Sequence, residues 1–110
     1  MVEIKEIIEK CASLDIYEVR CIADGYYEVV FYTKDTDQWN KLFAEILGLA
    51  VKPYGVVPKE EDITLTQKHG GLRENQTLFK REIDDTIMLA MFWPWQDEVR
   101  TTIKVVSVKK

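Results

Sequence analysis

The chain has 110 residues, 46% of them hydrophobic and 31% charged, with a formal charge of −4. That length suits one α+β-sized domain with its own core, and the composition is globular rather than disordered. The excess charge lies in residues 1–55, where ten acids meet six bases; residues 56–110 hold nine of each, so no cluster of Lys and Arg offers a face to nucleic acid or to an anionic membrane.

Cys11 and Cys21 stand ten apart in a chain with one histidine, which is not the spacing of a zinc site. No motif calls for a metal or a cofactor. The start, MVEIKEIIEK, has no apolar core of signal-peptide length, and no run approaches the ~18 apolar residues of a membrane span. The expectation is a cytoplasmic protein with two reduced, packed thiols; a disulfide between them would need a secreted setting.

Residues 2–13 predict a helix. Ile4, Ile7, Ile8, Cys11 and Ala12 make one apolar stripe, with Glu3, Glu6 and Glu9 off it. Cys11 on that stripe reads as core, since acidic neighbours are the wrong setting for a reactive thiol. Residues 16–22 alternate as a strand, and Asp24-Gly25 signals a hairpin turn. The next strand, residues 26–33, has Tyr27, Val29 and Phe31 on one face and Tyr26, Glu28, Val30 and Tyr32 on the other. Both are largely apolar.

Residues 36–49 carry the clearest helical pattern, Trp39, Leu42, Phe43, Ile46 and Leu47. Asp35 or Thr36 is the expected cap with Gln38 as its partner, and Gly48 and Pro53 end the run. The stripe reads as packing on a sheet. Residues 51–58 form a connection punctuated by Pro53, Gly55 and Pro58. Residues 59–69 admit a strand by the alternation of Ile63 and Leu65, but the end signals favour a short helix: acids first, Lys68 and His69 last, then Gly70-Gly71. After a polar loop come three strands, 77–82, 86–93 and 99–108. The middle one is apolar on both faces, Ile87, Leu89, Met91 and Trp93 against Met88, Ala90 and Phe92, and Pro94 ends it. Lys109-Lys110 reads as a solvated tail.

The order is α-β-β-α-(α)-β-β-β. It predicts an α+β two-layer sandwich in one domain, with about five mainly antiparallel strands and helices on one face. It is not the split βαβ order, because a helix comes first and the last three strands have no crossover.

No catalytic constellation is legible. Three places can bind. In the loop 68–75, His69, Arg73 and Asn75 lie beside two glycines, the chemistry of an anion or small-molecule site; the plainer reading is a helix end with Lys68 and His69 on its dipole. At the tip, Trp93 and Trp95 flank Pro94 as a recognition surface; the plainer reading puts Trp93 in the core and Trp95 as a clamp over the helix layer. Asp97 and Glu98 beside them read as solvated turn acids. Third, a sheet face left uncovered by helices, with Tyr26, Tyr32, Met88 and Phe92, would meet a second copy or curl around an apolar ligand. The expectation is therefore a non-enzymatic binding or accessory domain that forms a homodimer through an apolar sheet face. The alternative is a small-molecule binder or small enzyme with its site at His69, Arg73, Asn75, Trp93 and Trp95.

Overall fold

The computed structural model describes residues 3–109; Val2 of the expected first helix and Lys110 of the expected tail lie outside them. Three helices, α1 (Ile4–Cys11), α2 (Thr36–Leu47) and α3 (Glu60–Thr66), accompany five strands: β1 (Glu18–Ala23), β2 (Tyr26–Tyr32), β3 (Thr77–Ile83), β4 (Thr86–Pro94) and β5 (Arg100–Lys109). All neighbours are antiparallel, and the spatial order is β1-β2-β5-β4-β3. The α+β sandwich expected from the element order is the observed architecture. The last strand lies in the middle and joins the β1-β2 hairpin to the β3-β4 hairpin.

Paired residues share a face, so the register defines two surfaces. The rows Tyr27–Val105–Ala90–Phe79 and Val29–Ile103–Phe92–Thr77 belong to the first. Helices α1 and α2 cover it with Ile7, Cys11, Trp39, Phe43, Ile46 and Leu47. Phe92 is the hub of this core, 5.7 Å from Phe31, 5.6 Å from Phe43 and 5.4 Å from Phe79, while Phe31 stacks on Trp39 at 5.0 Å. Such ring pairs are worth about 0.5–1.5 kcal/mol each beyond burial. Met88 and Phe92 are therefore core residues beneath the helices, and neither can line a surface between copies. Tyr26 and Tyr32 lie on the opposite face. Pairing puts Tyr26 level with Val106 and Leu89, not with Met88.

Helix α3 departs from the expected single helical layer. It packs on the second face, where Leu65 and Leu72 close over Leu78, Leu89, Met91 and Val106. The connection before it explains the change of side. Val51 and Lys52 run along the free edge of β3, with Leu78 N–H donating to the Lys52 carbonyl at 2.9 Å, so the chain rounds that edge before α3 begins. Asp62, buried in α3, then meets Lys80 of β3 at 3.0 Å. The short helix favoured by the end signals is observed, continued by a 3-10 turn at Gln67–His69 that Gly70 ends in the left-handed region, φ +101°. The expected side-chain cap of α2 is not formed. Instead a 3-10 turn at Thr33–Asp35 runs into the helix, and Thr36 Oγ1 donates to the Thr33 carbonyl at 2.6 Å.

Candidate functional site

Helix α3 and Leu72 roof the β3-β4 side of the second face. They reach Val106 of β5 and Tyr26 of β2, while the end of β5 that holds Arg100 and Thr102 lies beyond them, where the tip between β4 and β5 folds over it. Trp95 N–H donates to the Arg100 carbonyl at 2.8 Å, and Glu98, at φ +60°, turns the chain back. Asp97 locks the tip. Its Oδ1 accepts from the backbone N–H of Val99 and Arg100, and its Oδ2 accepts from Arg100 Nε and Nη2 at 3.0 and 2.8 Å. The Val99 N–H and the Arg100 guanidinium hold the Asp97 carboxyl below its ordinary range; Asp97, with help from Tyr17, raises Arg100 further. Asp97 and Glu98 are exposed, as expected of turn acids, but Asp97 is also held by its neighbours, with both Arg100 nitrogens on the one oxygen Oδ2.

Trp95 is the centre of this side. Its Nε1 donates to Thr102 Oγ1 at 2.7 Å, which fixes the indole to the second face of β5 rather than over the α1–α2 layer. The Arg100 guanidinium lies 4.6 Å from its ring centroid and that of Arg20 lies 5.3 Å away. Arg20 is delivered by a β-bulge: the register slips between Val19 and Cys21, and the extra residue is Arg20. Arg100 also donates to the Tyr17 hydroxyl at 3.0 Å, and Tyr17 meets Tyr32 edge-on at 5.4 Å. This side carries Arg20, Arg100 and Lys104 together with Glu18, Asp97 and Glu28; Glu18 bonds Arg20 at 3.1 Å, Asp97 bonds Arg100 at 2.8 Å, and Glu28 accepts from the Tyr26 hydroxyl. Burial and that bond to Glu28 raise the Tyr26 pKa.

The five residues expected to form a ligand site divide between two settings. His69 ends the 3-10 turn and is half-buried. The next residue, Gly70, lies on the Trp93 indole, and Lys104 Nζ stands 3.8 Å from the same ring. Trp93 thus packs against the loop, and its buried indole N–H finds no acceptor among the described residues. Arg73 and Asn75 are exposed on the turn before β3; the backbone N–H of Arg73 donates to Gln76 Oε1 at 2.8 Å. Trp95 belongs to the separate cluster with Arg20, Arg100 and Tyr17. That cluster left no local mark in the sequence: Tyr17 and Arg100 lie 83 residues apart, and only the insertion of β5 beside β2 joins them.

Among the described residues no group of His, Cys, Asp and Glu is placed to hold a metal, and no helix is long and apolar enough to cross a membrane. Cys11 and Cys21 are both free thiols, the first buried and the second half-buried. Compared with family models, with curated proteins and with solved structures, the chain matches none.

Proposed function

We propose that this chain is a cytoplasmic binding module, not a catalyst, that associates with a second copy of itself through the β1-β2-β5 side of the second sheet face. The observation that carries the reading is Trp95, half-exposed, fixed by Thr102 and with two guanidiniums over its ring, in one patch with Tyr17 and Tyr32. Trp, Tyr and Arg in one preorganised patch are the residues that dominate protein interfaces. The balance of three positive and three negative side chains on this side favours a second copy. A face with both signs interleaved meets itself without net repulsion in an isologous pair, whereas nucleic acid asks for an excess of positive charge. The contact differs from an apolar sheet-to-sheet dimer, because α3 takes the apolar half of this face for the monomer's own core. A reducing compartment agrees with two unpaired cysteines.

Sedimentation equilibrium over a range up to ~100 μM tests it. A dimer is expected, with Trp95→Ala and Arg100→Glu each weakening association about tenfold or more while circular dichroism stays unchanged. A monomer throughout, or a dimer indifferent to both changes, overturns it.

A further inference from the structure

At the other end of the sheet, and on its first face, α1 does not reach the two hairpin turns. It leaves a recess of about 770 Å³ between its first two turns, the β1–β2 turn and the β3–β4 turn. Nothing in the Trp95 patch touches it. Its walls are apolar, Ile4, Ile8, Ile22 and Ile83, with the buried Met88 of the core beneath them. Ile22 is 61% exposed although it sits on the face that α1 and α2 cover elsewhere, so the helix layer stops short of it. The rim has the opposite character. Glu3, Glu9, Asp24, Asp84 and Asp85 line it against a single Lys5. None of these carboxylates is in an ion pair among the described residues.

We propose that this recess binds an amphiphilic cation, an alkyl or aryl body seated on Met88 and the isoleucines with an ammonium or guanidinium group at the acidic rim. The size lies within the range of small-molecule sites, about 300–1,000 Å³. The two halves of the recess select the ligand jointly. The isoleucine walls, Ile22 above all, meet water when the recess is empty and gain from an apolar body laid against them. Five like charges around a concave, partly low-dielectric mouth focus a negative potential that draws a cation and repels an anion. A bare inorganic cation would leave the walls uncovered, and a neutral hydrocarbon would leave the rim unmatched. The recess is walled by helix and by two turns, so it takes the end of a chain rather than the side of a partner helix.

The test uses octylammonium and octanoate as probes of equal length and opposite charge, followed by methyl NMR on the full chain. Octylammonium is expected to bind and to shift the methyl signals of Met88, Ile8, Ile22 and Ile83, with octanoate at least about tenfold weaker. The double change Asp84→Asn, Asp85→Asn is expected to weaken octylammonium about fivefold to tenfold, from two lost rim charges. It keeps the turn, because Asn accepts the left-handed φ of +56° that Asp84 adopts. Equal binding of the two probes, shifts confined to other residues, no binding of octylammonium at ~10 mM, or an unchanged affinity in the folded double variant overturns the proposal.

Discussion

Gly70 lies against the indole of Trp93 so closely that a β-carbon in its place would stand 2.2 Å from Cη2 and 2.6 Å from Cζ2. No L side chain fits there, and the φ of +101° would strain one in any case. The glycine therefore does two things. It ends the 3-10 turn after α3, and it lets the loop settle on the ring.

Gly70→Ala is expected to destabilise the fold by about 2–4 kcal/mol, the sum of backbone strain and a clash with an aromatic wall. Gly71, also at positive φ but with open space around its α-carbon, should cost only about 1 kcal/mol on the same change. Urea denaturation of both variants measures the difference. Adding Trp93→Leu to Gly70→Ala should recover the steric part and leave the strain, a coupling between neighbours that additive effects cannot produce.

Lys52 is 1% exposed, and its ammonium donates to three backbone carbonyls, those of Pro53 at 3.2 Å, Glu74 at 2.8 Å and Gln76. It clips the connection after α2 to the loop before β3. Lys52→Met keeps the stem but leaves three carbonyls without their donor, so a loss of about 2–4 kcal/mol is expected. Tyr54 and Val57 of the clipped segment are exposed. Limited proteolysis of the variant should therefore cut within residues 51–58, where the parent chain resists.

Alkali should unfold the protein through its core. Burial pushes the Cys11 thiol from its ordinary 9.0 up to about 12, and burial, then Cys11 itself, pushes Tyr27 from 10.0 to about 12. Between those values the unfolded chain has released protons that the folded chain still holds. Stability is thus full below pH 9.0 and falls as pH rises to about 12, by an amount on the order of a few kcal/mol. Lys52 works the other way, since burial lowers its pKa and the folded chain sheds that proton first. It is one group against three, since Tyr26 is raised as well. Denaturant midpoints at pH 8, 9, 10 and 11 should decline from 9 onward. Cys11→Ala, less stable at neutral pH, should postpone the decline to about 10, where Tyr27 begins.

The local pattern made the elements legible and left their neighbours hidden. The stripe of Trp39, Phe43, Ile46 and Leu47 gave α2, and the alternation of β4 separated Met88, Ala90 and Phe92 from Leu89, Met91 and Trp93 as the sheet does. Which of those sets lies under the helices is a long-range fact. It depends on β5 entering between β2 and β4, and on Lys52 carrying the chain around the β3 edge, and neither leaves a periodicity. For the same reason Trp95 could be singled out as a residue, while Arg20 and Arg100, which give it its setting, could not. The mixed alternation of β5 has its cause there too: Val105 and Val106 point to opposite faces, and both are buried because each face is covered at that point.

The central place of β5 sets the order in which the molecule can become one object. The β1-β2 and β3-β4 ribbons are each made from adjacent stretches of chain, yet they share no ladder with each other. The strand ladders that fuse them into one sheet run through residues 100–109, which are made after both ribbons. Until then the phenylalanines of the two ribbons, Phe31 on one and Phe79 and Phe92 on the other, belong to separate half-cores. The keystone of the arch is laid only after both of its sides.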